Sequence, residues 1–191
     1  MSRVPPRAVV IGASAGAIQA LSHILPALPA EFPLPILIVV HVPPDRSNIL
    51  APLFQPKCRM AVREAEDKEP ALPGVIYFAP PDYHLLVETD GNLSLSTDEP
   101  VLHSRPAIDV LFESAADAFG DALIGIVLTG ASADGAQGLK AICAAGGIAL
   151  VETPETAFAE AMPQAAIDAC PAARVLTLDA ITEFLTKEVD T

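Results

Sequence analysis

Three residue types that together carry out hydrolysis occur at comparable places in the sequence, each close to the end of an apolar run. Ser14 lies in Gly12-Ala13-Ser14-Ala15-Gly16, which fits the G-x-S-x-G pattern of a serine exposed on a sharp strand-to-helix turn. His41 and Asp134 stand near the ends of two later apolar runs. A carboxylate can hold an imidazole in the tautomer that accepts a serine proton. The set therefore indicates nucleophilic hydrolysis.

Each of these residues also has a simpler structural interpretation. Ser14 could cap the following helix, and His41 could hydrogen-bond a nearby carbonyl. Asp134 and Gln137 have the spacing of a capping box. The serine turn also resembles a dinucleotide-binding turn, but G-x-G-x-x-G is not satisfied, and the second strand ends at His41 instead of a ribose-binding acid. The coincidence of three suitable residues at strand ends favours hydrolysis.

The elements that must position these residues alternate along the chain between apolar runs and segments of helical spacing. This alternation predicts an α/β fold with a doubly wound, mostly parallel sheet in three α/β/α layers. Hairpin signals between residues 74 and 96 predict an antiparallel edge. The strands are predicted at 8–11, 34–42, 74–79, 84–88, 92–96, 122–128, 148–152 and 174–178, and the helices at 17–25, 48–54, 106–119, 133–145, 163–169 and 179–187. We expect residues 1–191 to form one domain.

Composition excludes several classes of function. The 191 residues are 51% hydrophobic and carry a formal net charge of -13, so a nucleic acid or an anionic membrane surface would repel the chain. No apolar run approaches the roughly 20 residues of a membrane span. The three cysteines lack short spacing, which predicts no disulfide framework and a reducing, cytoplasmic compartment. The four scattered histidines predict no metal site.

Several motifs, taken in order, resemble the catalytic domain of the bacterial protein-glutamate methylesterases of chemotaxis. The resemblance covers about Ala8 to Leu185. The matching segments are 11–16, 41–43, 64–67, 77–80 with His84, 105–109, 128–130 with 134–135, and 162–163 with 165–167. The resemblance implies that Ser14 is the nucleophile, His41 the general base and Asp134 the third triad member.

Departures from the family pattern concern the walls of the site. Ala131-Ser132 stands where the family has methionine and glycine, Ala17 replaces a second glycine, and Val40 replaces a frequent glutamine. The backbone N–H groups near Ala15 and Ala131 are still expected to hold the oxyanion. The smaller Ala131 side chain predicts a wider pocket.

The resemblance implies demethylation of glutamate 5-O-methyl esters on chemoreceptors, with release of methanol, and it allows deamidation of glutamine. No cofactor is implied. Only about seven residues precede the first predicted strand, so we expect no receiver domain on this chain, and regulation by a separate response regulator or methyltransferase is a further hypothesis. We expect the receptor to dock near Arg46, Lys57, Arg59 and Arg63, which lie in a locally basic segment. An esterase or amidase for another substrate and a non-catalytic signalling module remain alternatives.

Overall fold

The structure is a computed structural model that describes residues 4–42 and 49–189. Within these ranges nine strands alternate with six helices. The strands are β1 (Ala8–Ala13), β2 (Ile36–Val40), β3 (Ala61–Glu64), β4 (Val75–Phe78), β5 (His84–Val87), β6 (Leu93–Ser96), β7 (Leu123–Val127), β8 (Ile148–Glu152) and β9 (Arg174–Leu176). The helices are α1 (Ala17–Ile24), α2 (Leu50–Phe54), α3 (Ile108–Phe119), α4 (Ala136–Ala144), α5 (Ala161–Ala169) and α6 (Leu178–Glu188).

A seven-stranded parallel sheet organises the molecule, with the strand order β3-β4-β2-β1-β7-β8-β9. The central strands β1, β2 and β7 are buried along their whole length, as their uninterrupted apolar sequences predict for strands covered on both faces. The direction in which successive strands are added reverses at β1, so β2 and β7 lie on either side of it. The predicted α/β class with a largely parallel sheet is confirmed.

Helices cover both faces of this sheet. Alternate residues of β1 point to opposite faces: Val9 and Ile11 join the apolar cluster of α1, α2 and α6, and Val10 joins the cluster of α3, α4 and α5. Helix α3 lies very close to β1, because a Cβ added at Gly12 would be 2.4 Å from Ile108 Cγ2. The start of α3 is therefore held against the carboxyl end of the central strand.

The predicted antiparallel hairpin is present, although it is not an edge of the large sheet. Strands β5 and β6 pair antiparallel in a sheet of their own, which packs against α3. The first strand predicted for this region is β4, which instead lies between β2 and β3 in the large sheet and is parallel to both. All four of its residues are buried, as expected for an inner strand. Strand β3 lies at the sheet edge and was not predicted, since only Val62 of its four residues is buried.

The cysteines differ from the expectation. Cys143 in α4 and Cys170 at the end of α5 form a disulfide, which contradicts the expectation, drawn from the cysteine spacing, that disulfides are absent. Their separation of 27 residues gives no local spacing signal, but α4 and α5 pack side by side and bring the two ends together. Cys58 is free and half-buried, and burial raises the pKa of its thiol.

Two further predictions concern the start of α2 and the absence of a membrane span. The helix predicted from residue 48 begins at Leu50 in the structure, and Arg46 at its entry lies outside the described residues. No helix within 4–42 or 49–189 is long and apolar enough to cross a membrane.

Candidate active site

The serine turn connects the central strand β1 to α1. Gly16 is the N-cap of α1, with φ at +86°, and a Cβ there would lie 2.6 Å from Phe158 Cβ, so the position suits only glycine. The Ser14 N–H donates to Thr129 O at 2.9 Å, and Ser14 O accepts the Ala17 N–H at 2.8 Å. The Ser14 side chain makes no capping hydrogen bond to α1. The interpretation of Ser14 as a helix cap is therefore wrong.

His41 lies beside this turn because of the register of β1 and β2. Ala13 pairs with Val40, and the His41 N–H donates to Ala13 O at 3.2 Å. Ser14 and His41 line one cavity of about 210 Å³, whose other walls are mostly apolar. Within the described part of the chain, no direct hydrogen bond joins the Ser14 hydroxyl to the His41 ring. Such contacts are often loose in enzymes without substrate.

Asp134 and His41 are in direct contact. His41 Nε2 lies 2.7 Å from Asp134 Oδ2, and the two side chains are 13% and 0% exposed. The same carboxylate accepts the N–H groups of Ile108 at 2.6 Å and Asp109 at 2.9 Å. Asp134 therefore caps α3 across the fold and not its own helix α4, whose N-cap is Gly135. The capping-box interpretation of Asp134 with Gln137 is wrong.

The expected oxyanion donors lie on two loops that hydrogen bonds tie together. Thr129 Oγ1 donates to Ala15 O at 2.8 Å, which links the serine turn to the loop after β7. Ala15 is half-buried and Ala131 is exposed. Over the ranges 4–42 and 49–189, neither residue's N–H has an acceptor within the protein. Both groups are thus available to an outside acceptor, and their joint role toward one oxyanion stays a prediction.

Two buried polar residues support segments around the site. Glu152, at the end of β8, accepts the Thr129 N–H at 2.8 Å, and burial raises the pKa of its carboxyl group. His84 Nδ1 accepts the Ala107 N–H just before α3, and its Nε2 donates to Glu99 O. Both were missed as functional candidates. Each is a polar residue at the boundary of a buried strand, and this pattern could have indicated a supporting role in the site.

The predicted docking residues have different environments. Lys57 and Arg59 are exposed. Arg63 is also exposed, but it donates to Tyr77 Oη at 3.1 Å and lies 3.8 Å from Glu69, so its charge is already partly engaged. Arg46 is outside the described residues. In the described ranges, no three His, Cys, Asp or Glu side chains are grouped so that they could hold a metal ion.

A parallel α/β sheet whose strand ends bring together a serine turn, a histidine and a buried aspartate defines a class, that of α/β proteins with the residues of a serine hydrolase. Comparison with known proteins identifies one family within this class. A family model described as CheB methylesterase matches residues 9–185, and this chain belongs to that family. The resemblance stated from the sequence is confirmed.

Individual relatives and a solved structure are similar to this chain over most of its length. A protein from Leptospira interrogans is 48% identical over 93% of this chain and 92% of its own length. Proteins from Symbiobacterium thermophilum and Carboxydothermus hydrogenoformans are named protein-glutamate methylesterase/protein-glutamine glutaminase. They are 37% and 41% identical over 98% and 95% of this chain, which spans 52% and 55% of their lengths. The crystal structure of the Thermotoga maritima CheB methylesterase catalytic domain matches with a TM-score of 0.91 at 35% identity, covering 97% of this chain and 100% of that chain.

Proposed function

We propose that this protein is a serine hydrolase that demethylates glutamate 5-O-methyl esters on chemoreceptors. The observation that carries the proposal is the contact of His41 with the buried Asp134 at the cavity that Ser14 also lines. The family and the names of its relatives supply the ester as substrate class and glutamine as a second one. Ser14, His41 and Asp134 are the proposed triad.

The histidine's two nitrogens have different roles in this proposal. Asp134 accepts the Nε2–H of His41, which leaves the lone pair of Nδ1 as the base. Nδ1 takes the Ser14 proton as Oγ attacks the ester carbonyl. The imidazolium that forms is stabilised by Asp134, whose carboxylate is oriented by the two backbone N–H groups that it accepts.

The reaction then proceeds through an acyl-enzyme. The N–H groups of Ala15 and Ala131 stabilise the negative oxygen of the tetrahedral intermediate. His41 returns its proton to the leaving methoxide, which departs as methanol, and a water molecule activated by His41 hydrolyses the acyl-serine to glutamate. With a glutamine side chain the leaving group is ammonia, and the same acyl-enzyme forms. No step requires a cofactor.

The partners and the compartment follow from the substrate. We propose chemoreceptors as the partners, with the exposed Lys57, Arg59 and Arg63 as cations for a Glu-rich receptor segment. A separate response regulator or methyltransferase is proposed as a controlling partner. We propose that the reaction takes place on the cytoplasmic side of the receptor.

The test is methanol release from receptor-containing membranes that carry labelled glutamate methyl esters. Substitution Ser14→Ala is expected to lower the rate by about 10⁴- to 10⁶-fold with little change in stability, because it removes the nucleophile and leaves the turn's backbone bonds. The matched control is Ser22→Ala, which removes a half-buried hydroxyl from α1 away from the cavity. It should retain full activity.

Either of two results would contradict the proposal. Release of methanol by Ser14→Ala at the rate of the intact protein would eliminate the serine mechanism. Absence of release by the intact protein would eliminate the methylesterase, and labelling of Ser14 by a fluorophosphonate probe would then direct attention to another ester or amide.

A further inference from the structure

A second buried carboxylate lies next to the proposed triad. Asp109 is the second residue of α3 and is 6% exposed. Its Oδ1 accepts the Gly135 N–H at 2.9 Å and the Gly138 N–H at 2.7 Å. These amides form the N-terminus of α4, for which Gly135 supplies no side-chain cap. Asp109 therefore satisfies two donors that the sequence of α4 leaves without a local partner.

The arrangement is reciprocal. Asp134 caps the start of α3, and one of the two amides that it accepts is the N–H of Asp109 itself, at 2.9 Å from Oδ1. Asp109 in turn holds Gly135, the residue that directly follows Asp134. Asp134 is thus fixed at both its carboxylate and its backbone by one residue of α3. Any movement of Asp109 would pass directly to the 2.7 Å contact with His41.

The packing leaves little freedom for any other arrangement. A Cβ at Gly138 would lie 2.5 Å from Phe112 Cβ and 3.2 Å from Asp109 Oδ1, so glycine at this position allows the close approach of the carboxylate. Asp109 also faces charge of its own sign from Asp134 on the loop and from Glu113 one turn further along α3. Burial, which is the main cause, and these two carboxylates raise the pKa of Asp109 to about 6.

We propose that Asp109 is a positioning residue of the hydrolytic reaction, which fixes the start of α4 and thereby holds the Asp134 carboxylate against His41. The inference rests on the proposed function, because it assumes that Asp134 orients the base. A residue that only stabilised α4 would affect the folded fraction of the protein. A positioning residue also affects the rate of each folded molecule, since small misplacements of catalytic groups cost large factors in rate.

Two variants separate these roles. Asp109→Ala removes both hydrogen bonds to α4. Asp109→Asn keeps an acceptor oxygen and removes only the charge. We expect Asp109→Ala to lower kcat about 30- to 100-fold with KM within about threefold of the intact protein. Asp109→Asn should recover most of that loss, to within about fivefold. Glu113→Ala is the matched control, because it removes an exposed carboxylate from the same helix.

A readout besides turnover reports the position of Asp134 directly. The imidazole N–H that His41 donates to a buried carboxylate is expected to give a low-field proton NMR signal. The signal should be present in the intact protein, in Asp109→Asn and in Glu113→Ala. It should be absent or shifted upfield in Asp109→Ala, as in an Asp134→Ala reference. Demethylation rates are divided by the folded fraction, which is measured by urea unfolding.

Folded Asp109→Ala with an unchanged kcat and an unchanged low-field signal would overturn the inference. Failure of the proposed function is distinguishable from this result. It would show as methanol release that does not depend on Ser14, whereas the His41 signal tests the positioning of Asp134 without any substrate.

Discussion

Thr129 is the residue through which three loops at the carboxyl end of the sheet are joined. Its hydroxyl donates to Ala15 O and accepts the Ala159 N–H, each at 2.8 Å, and its own N–H donates to Glu152. We expect Thr129→Val, which keeps the shape and removes the hydroxyl, to lower the free energy of unfolding by about 1–3 kcal/mol, because a buried donor and acceptor lose their partner. It should also lower kcat about 10-fold through the serine turn.

The control for this change is Thr182→Val in α6, where the hydroxyl donates only to Leu178 O of its own helix. Urea unfolding and methanol release measure the two effects separately. If Thr129→Val unfolds at the same urea concentration as the intact protein and keeps its kcat, the hydroxyl bridge has no role in the site.

Residue types at strand ends were enough to predict that Ser14, His41 and Asp134 lie near one another, because parallel strands place their carboxyl ends at one edge of the sheet. The partners of Asp134 were not predictable in the same way. Its spacing to Gln137 indicated a cap on its own helix, whereas its carboxylate serves α3, 25 and 26 residues earlier in the chain. The hydrogen-bond partners of Asp109 and Glu152 were missed for the same reason, since a hydrogen bond between distant segments leaves no local pattern.

The contact of α3 with the central strand decides where the site's supporting amides lie. At Gly12 an added methyl group would meet Ile108 Cγ2 at 2.4 Å and Ile108 Cδ1 at 2.9 Å, and Ile108 is fully buried at the start of α3. We expect Gly12→Ala to cost about 1–3 kcal/mol of stability, because the helix must move or its side chain must leave its preferred rotamer. Moving α3 also displaces the Ile108 amide that Asp134 accepts, so kcat should fall.

A double-mutant cycle identifies the cause of that loss. Ile108→Ala alone leaves a cavity and costs about 2–5 kcal/mol. In the double variant, Ile108→Ala also removes the collision with the methyl group at position 12. The double variant should therefore lose less stability than the sum of the two single losses, by at least about 0.5 kcal/mol. Strictly additive costs in urea unfolding would show that Gly12→Ala acts by some route other than the contact with Ile108.

At the level of elements, burial determined what the sequence could predict. Strands covered on both faces, such as β1 and β7, appear as uninterrupted apolar runs. Strand β3 pairs at an edge with mostly exposed side chains and lacks such a run. The turn between β5 and β6 predicted their pairing, but no residue within a hairpin indicates whether the hairpin joins a larger sheet.

For the molecule as a whole, the net negative charge and the buried carboxyl groups both lower the free energy of unfolding as the pH rises. The chain carries -13 charges at pH 7, which repel one another in the compact state. Burial raises the pKa of Asp109 and Glu152, and partial desolvation raises the pKa of the less buried Glu64 and Glu113. A carboxyl group with a raised pKa binds more protons in the folded than in the unfolded chain, so the free energy of unfolding falls as pH rises through the interval between the two pKa values. For Asp109 that interval runs from 3.8 to about 6.

We therefore expect the protein to be more stable near pH 5 than near pH 7.5, by about 1–3 kcal/mol in urea unfolding at low salt. Added salt should narrow the difference, because it screens the repulsion among surface carboxylates at the higher pH but leaves the buried groups largely unaffected. Asp109→Asn cannot ionise, so the part of the slope between pH 4 and pH 6 that Asp109 causes should disappear in this variant. A stability that instead rises steadily from pH 5 to pH 7.5 would contradict the dominant role of the buried carboxyl groups in this pH range.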